Sequence, residues 1–274
     1  MDAVELPDWL GSLRRAEITD RVRDDPRSWG GTLLGMDRYG AFEAVGAGQA
    51  DFDAPSGDLS PDDLALLYAY LNQKGHLEEL VVAFGQLLAG WKPPNPIVVD
   101  IGCGPFTGGL ALAATLGEDP RFDYIGVDRA NSMRRLGRRL ACSDLVPGRV
   151  TSHWAPDVGS VKWQRPPGFR EVIVILSYLF ASPTLDAEAM LTDLKRLLRR
   201  IGHGAVTLLY TNSILGEPNR RYPEFRKGLV EAEFRVHAEA QGKIVVERWN
   251  GRRERKLCYA LFRRPQRQRL PLGG

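Results

Sequence analysis

Residues able to do chemistry concentrate in one stretch, Val98-Val-Asp-Ile-Gly-Cys-Gly-Pro-Phe-Thr-Gly-Gly-Leu-Ala-Leu112. An apolar run ends in an acid, Asp100. Gly102 and Gly104 follow, letting the backbone turn tightly and approach a ligand that any Cβ would exclude. A helix beginning near Thr107 aims free N–H groups at an anionic or carboxylate-bearing group. Such a turn also occurs as a plain strand-to-helix connection without a ligand, so other residues must decide. Asp128 closes the next apolar run 28 residues after Asp100. A carboxylate there can accept hydrogen bonds from both hydroxyls of a ribose, or serve as a helix N-terminal acid. Asp157, after a third extended run, is open between facing an adenine amino edge and forming a turn.

The elements that must position these groups alternate strand and helix from Pro96 onward, which predicts a parallel sheet covered on both faces. Strands are expected at Ile97–Asp100, Tyr124–Asp128, Arg149–Trp154, Glu171–Leu176 and Ala205–Tyr210, and helices at Thr107–Leu116, Ser132–Leu140, Asp186–Arg200 and about Pro223–Ala238. Asn250-Gly251 between Lys243–Trp249 and Lys256–Phe262 is a hairpin signal, so the last strand should run antiparallel.

Before Pro96 the chain reads as a helical and loop-rich cap over residues 1–95, followed by a core over 96–264 and a flexible basic tail over 265–274. Residues 1–25 suit a helix and 28–59 a loop-rich lid. Ser60-Pro61-Asp62-Asp63 supplies a helix start, with a break expected at Lys74-Gly75 before a second helix. Charge divides along the same line. Residues 1–95 hold 8 basic and 16 acidic side chains, residues 96–274 hold 29 and 18. That division suggests two units facing each other, a rear surface for an anionic partner, or simple solubility.

Composition is ordinary for a globular chain, with 43% apolar and 26% charged residues. No apolar run reaches membrane-spanning length, and the start lacks signal-peptide regions, so a cytoplasmic protein without membrane contact is expected. Cys103, Cys142 and Cys258 make no CxxC pair. His76, His153, His203 and His237 have no metal-ligand spacing, so no metal is expected.

Asp100-x-Gly102-x-Gly104 after the first strand, Gly126-Val-Asp128 ending the second, Ala-Pro-Asp157 after the third and Leu176-Ser-Tyr-Leu-Phe180 ending the fourth resemble the class I S-adenosylmethionine-dependent methyltransferases. The resemblance spans about residues 96–264. It implies a Rossmann-like three-layer sandwich, with a mostly parallel seven-stranded sheet ending in an antiparallel hairpin, and S-adenosyl-L-methionine as cofactor. Asp100, Gly102, Cys103, Gly104, Pro105 and Thr107 would wrap the methionine part. Asp128 with Arg129 would meet the ribose, Asp157 with Val158 the adenine, and Ser177 with Tyr178 would lie beside the methyl group. One departure stands out: the family's third glycine is Phe106 here, with Gly108 and Gly109 displaced toward the helix. A nicotinamide cofactor shares the glycine turn and ribose acid, but fits less well with Thr107 in its third glycine position and a closing hairpin.

Methyl transfer to an oxygen or nitrogen needs in-line positioning more than a dedicated base. Catalytic candidates are Ser177, Tyr178, Tyr210 and Asn212, with Glu217 further on, because open α/β sheets place substrates at the strands' carboxyl ends. Tyr178 either orients a nucleophile or packs under the cofactor; Tyr68, Tyr70 and His76 are expected to line the cap side. No motif names the acceptor. The clusters Arg134-Arg-Leu-Gly-Arg-Arg139, Lys195-Arg-Leu-Leu-Arg-Arg200, Arg252–Lys256 and Arg263–Arg269 favour RNA or another anionic partner if a substrate docks there, and otherwise are solvated faces. A small-molecule acceptor and a degenerate cofactor-binding subunit are the alternatives; oligomeric state is open.

Overall fold

The computed structural model describes residues 4–89, 91–163, 170–182, 185–201, 204–248 and 251–266. Seven strands build one sheet, whose middle is apolar and buried on both faces and whose edges are partly exposed. They are β1 (Ile97–Ile101), β2 (Arg121–Val127), β3 (Arg149–Ala155), β4 (Val172–Ser177), β5 (Val206–Ser213), β6 (Arg235–Arg248) and β7 (Gly251–Arg264). They pair in the order β3-β2-β1-β4-β5-β7-β6. The first five are parallel; β7 inserts antiparallel between β5 and β6. This is the sheet the resemblance implies.

Because successive side chains point to opposite faces, neighbours such as Val98 and Val99 serve different cores. One face carries α5 (Lys74–Leu87), α6 (Thr107–Leu116) and α7 (Asn131–Ala141), the other α8 (Ala187–Ile201) and α9 (Tyr222–Glu231). The N-terminal segment contributes α1 (Asp8–Arg14), continued through a π turn into α2 (Asp20–Arg23), then α3 (Arg38–Ala44) and α4 (Pro61–Tyr68). Its buried Leu10, Leu13, Phe52 and Leu67 share one apolar cluster with Val98 and Leu110 of the sheet layer.

Three expectations are corrected. No break occurs at Lys74-Gly75, because a π turn over Ala69–Gln73 absorbs the register change and α4 runs on into α5. The predicted Pro223–Ala238 helix stops at Glu231. Glu233 turns left-handed (φ 69°), Phe234 N–H returns to the Leu229 carbonyl, and residues from Arg235 pair with β7. Pairing with β7 outweighs local helix preference there. The closing strands are longer than the predicted Lys243–Trp249 and Lys256–Phe262, and the hairpin continues past the β5 end, where Ser213 pairs Leu257. Trp249, Asn250, His203 and the tail beyond Gln266 lie outside the described residues.

Candidate functional site

The carboxyl ends of β1, β2 and β4 meet at one edge of the sheet. After β1 the chain passes through three left-handed residues, Gly102 (φ 73°), Gly104 (φ 50°) and Phe106 (φ 67°). The amides of Gly102 and Cys103 donate to the Val127 carbonyl at 2.8 and 3.1 Å, and Gly104 N–H donates to Asp128 Oδ2 at 2.9 Å. The other Asp128 oxygen accepts from Ala130 N–H at 2.9 Å. Asp128 is therefore shared between the glycine loop and the turn into α7. Burial pushes its carboxyl above the ordinary value against the pull of the Ala130 and Gly104 amides.

Asp100 lies beneath this loop, fully buried, and accepts from Tyr124 OH at 2.7 Å. Burial raises its carboxyl to about 7, with the Tyr124 bond opposing and the Asp128 charge adding. A Cβ at Gly108 would stand 2.5 Å from Asp100 Oδ2, and one at Gly109 would run into the Phe106 ring. The displaced glycine pair is thus explained by what lies against α6. Phe106 points into the core, edge-on to Tyr124 (4.6 Å) and Trp154 (6.1 Å).

Cys103 is buried, its thiol pushed up by burial and then by the Asp128 and Asp100 charges. The Pro105 carbonyl accepts from Gln73 Nε2 at 3.0 Å. Among the described residues Thr107 Oγ1 and Asn72 Nδ2 are buried without a hydrogen-bond partner. Arg129 is exposed, and its carbonyl accepts from Arg134. Asp157 is exposed and engaged in a turn by Ser160, whose N–H and hydroxyl lie at 2.8 and 2.6 Å and hold the carboxyl below its ordinary range. Val158 beside it is buried.

At the β4 end, Ser177 Oγ accepts from Thr211 Oγ1 (3.0 Å), and Tyr178 adopts φ 55° with its N–H on the Thr211 carbonyl (2.9 Å). Tyr178 OH donates to Glu79 Oε2 at 2.6 Å, and its ring lies 4.7 Å from that of His76. Glu79, with no exposed side chain, also meets His76 Nδ1 at 3.0 Å and Arg255 Nε at 3.3 Å. Burial, then the Glu79 charge, drive the Tyr178 phenol well above its ordinary value.

Tyr210 and Asn212 stand elsewhere, buried at the β5 end and committed to the following turn. Tyr210 OH donates to Asn219 Oδ1 (2.7 Å), while Asn212 Nδ2 reaches Tyr210 OH (3.2 Å) and the Pro218 carbonyl (3.1 Å). With Tyr222 and Cys258, Tyr210 and Asn219 border a cavity of about 480 Å³. Glu217 is exposed and paired with Arg220.

The acidic front does face basic residues of the rear. Arg135 pairs Asp62 at 2.7 Å, Arg139 lies 3.2 Å from Glu17, and Arg134 donates to the Asp128 and Arg129 carbonyls. Much of the α7 charge is therefore spent within the protein. On α8, Arg196, Arg199 and Arg200 remain exposed around a concavity of about 420 Å³.

Sequence reasoning missed Glu79, Gln73 and Asp53, and read Arg255 only as part of a basic run for an anionic partner, whereas it pairs with Glu79. Asp53 binds the first amides of α7, Asn131 N–H at 2.7 Å and Ser132 N–H at 2.9 Å. Helical spacing carried a signal for the Glu79 cluster, since His76 falls within the Leu77, Leu80, Phe84 stripe and Glu79 at its edge. Nothing local announces Asp53, which acts on a helix 78 residues away.

No family profile and no curated relative matches the chain. Solved structures that align with it include a SAM-dependent methyltransferase of Methanosarcina mazei (14% identity, 63% of this chain and 94% of that chain, TM-score 0.43). Magnesium protoporphyrin IX methyltransferase of Synechocystis, with bound SAM, aligns at 15% identity over 81% and 93% of the chains (TM-score 0.43). A Streptococcus pneumoniae protein described as a putative tRNA (m1A22) methyltransferase aligns at 11% identity over 68% and 74% (TM-score 0.42). The strand order itself assigns the fold: a Rossmann-like α/β sheet closed by an antiparallel pair. Among the described residues no helix is long and apolar enough to cross a membrane.

Proposed function

We propose that this chain is an S-adenosylmethionine-dependent methyltransferase acting on an oxygen or nitrogen acceptor. The observation that carries the reading is the left-handed glycine loop at the β1 end, tied through Gly104 N–H to Asp128 at the β2 end, with Tyr178 at the β4 end of the same edge. The residues fit such a cofactor. A Cβ at Gly104 would enter open space, Thr107 Oγ1 is a buried polar atom without a partner among the described residues, and Asp128 keeps further lone pairs beyond the two in use. Leu179 covers Gly102 in this state, so a ligand lying on Gly102 displaces that side chain.

Bound there, the cofactor supplies an already activated methyl group, which leaves positioning as the protein's main contribution. Asp128 would hold the ribose, Gly102 to Thr107 the methionine part, and Val158 would pack on the adenine. Tyr178, neutral because of burial and Glu79, would bound the place where the acceptor approaches. An antiparallel β7 inside the sheet speaks against the nicotinamide alternative, whose fold continues with parallel strands. We read residues 1–95 as the cap that shapes the acceptor side, and 96–264 as the cofactor-binding core.

An acceptor carrying phosphate, RNA foremost, is supported by the α8 arginines around their concavity. A small-molecule acceptor is the second reading, favoured by the cavity at the β5 end, whose size suits a small ligand.

Calorimetry with S-adenosylmethionine, S-adenosylhomocysteine and NADH tests the cofactor. Micromolar binding of the first two, lost in Asp128→Ala, is expected; binding of NADH instead, or of nothing, refutes the reading. Titration with total tRNA separates the acceptors. Affinity falling steeply with salt, and weakened in Arg196→Ala/Arg199→Ala, supports RNA, whereas a salt-independent or absent interaction favours the small molecule.

A further inference from the structure

We infer that His76 takes the proton from the methyl acceptor and that Glu79 holds it for this task; the inference rests on the methyltransferase reading above. Glu79 lies without side-chain exposure at the meeting point of three elements. It receives Tyr178 OH from the β4 end (2.6 Å), Arg255 Nε from β7 (3.3 Å) and His76 Nδ1 from its own helix (3.0 Å). Tyr178 OH and Arg255 Nε both donate to Glu79, which makes its carboxylate the acceptor at the centre of the cluster. Nδ1 must therefore carry the hydrogen. In the neutral ring the lone pair then sits on Nε2. Among the described residues Nε2 has no hydrogen-bond partner, and the side chain keeps 16% exposure.

The other groups of the cluster do not compete for the proton. Tyr178 is held neutral and spends its hydrogen on Glu79, and Arg255 is a permanent cation. Lys74 and Glu78, on the same helix, pair with each other at 3.1 Å. The His76 ring lies 4.7 Å from the Tyr178 ring, and Tyr178 directly follows Ser177, the last residue of β4 at the site edge. Tyr178 itself sits in the left-handed region at φ 55°, a strained conformation for a tyrosine that brings its phenol to Glu79.

The step balances. The acceptor's O–H or N–H bond breaks and its proton joins Nε2. The freed electron pair bonds the methyl carbon, and the carbon–sulfur pair stays on sulfur as a neutral thioether. The positive charge lost by the sulfonium reappears on an imidazolium whose Nδ1–H already faces the Glu79 carboxylate. His76 is the catalytic base in this arrangement, and Glu79 a positioning residue.

The test incubates the full chain with methyl-tritiated S-adenosylmethionine and a soluble cell extract resolved into RNA, protein and small-molecule fractions. His76→Gln should lower label transfer about 10²–10⁴-fold, while thermal midpoint and calorimetric cofactor affinity stay at wild-type values. Added imidazole should restore part of the transfer in His76→Ala, in proportion to its free base. Glu79→Gln should displace the pH at half-maximal transfer, Glu79→Asp should recover part of the rate, and His237→Gln, exposed on β6, should change nothing. Transfer by His76→Gln within about twofold of wild type with the same pH profile overturns the inference. So does a loss that imidazole does not relieve, or a wild type that binds cofactor yet labels no fraction. A wild type that does not bind the cofactor instead overturns the methyltransferase reading itself.

Discussion

Replacing Phe106 by glycine restores the residue that the family pattern expects, and the structure says that the protein will be the weaker for it. The ring is fully buried and edge-on to Tyr124 and Trp154. Truncating such a phenylalanine to alanine costs about 3–5 kcal/mol. The left-handed backbone at φ 67° costs a side-chain-bearing residue about 1–2 kcal/mol, which glycine alone escapes. Greater freedom of glycine in the unfolded chain takes back about 0.5–1 kcal/mol of that relief. Phe106→Gly should therefore unfold about 1.5–5 kcal/mol more easily than wild type, and lie level with or up to about 1.5 kcal/mol above Phe106→Ala. Gly109 adds an internal check, because its missing Cβ is where the Phe106 ring lies. Gly109→Ala should be harmful in wild type and close to neutral in Phe106→Ala, a coupling of at least about 1 kcal/mol. Urea unfolding followed by tryptophan fluorescence reads the four variants beside wild type. A Phe106→Gly variant as stable as wild type, or additive effects at 106 and 109, would refute the argument that the ring is core rather than an obstruction in the loop.

Two further outcomes concern acid groups. Asp100, raised by burial to about 7 against an ordinary 3.8, keeps a proton in the folded state that the unfolded chain releases. Stability should thus fall as pH rises from about 4 to 7, by on the order of 4 kcal/mol in full, and Asp100→Asn should flatten that slope in urea titrations at several pH values. Asp53 behaves oppositely: burial opposes its charge, but the Asn131 and Ser132 amides hold its carboxyl below 3.8. Its stabilisation is complete above that value and lost as pH falls through the lower folded value. Asp53→Ala should cost about 1–2 kcal/mol at neutral pH and leave little acid dependence of its own, which calorimetric unfolding can measure.

What could be read from residue order and what could not divide along physical lines. β1, β4 and β5 are short apolar runs buried on both faces, so burial writes them directly into the chain, and Gly102 and Gly104 announce their left-handed turn by type. Arg235–Ala238 looked helical because its strand character comes from β7, a partner more than twenty residues on. The same holds for polar residues at the edge. Asp100 and Asp128 were visible as acids at strand ends. That Asp100 supports the loop from below, through Tyr124 and the Gly108 gap, depends on a hydroxyl 24 residues away. Phe106 was legible only as a departure; its reason lies in the Tyr124 and Trp154 rings of two other strands.

The segment before the sheet does more than pack against it, because three of its polar anchors end on different loops of the same sheet edge. Gln73 holds the Pro105 carbonyl after β1 and is itself held by Arg14 Nε at 3.3 Å, in the first helix of the chain. Asp53 holds the first amides of α7, directly after Asp128 at the β2 end. Glu79 holds Tyr178 after β4. The three loops that would surround a cofactor are thus set against one another partly by residues that precede the sheet in sequence. Two of these anchors, Gln73 and Glu79, flank the junction between the π turn and α5. A shift of that junction by one residue would detach the glycine loop and the Tyr178 loop together, which gives the irregular turn a positional role at the site as well as a place in the core.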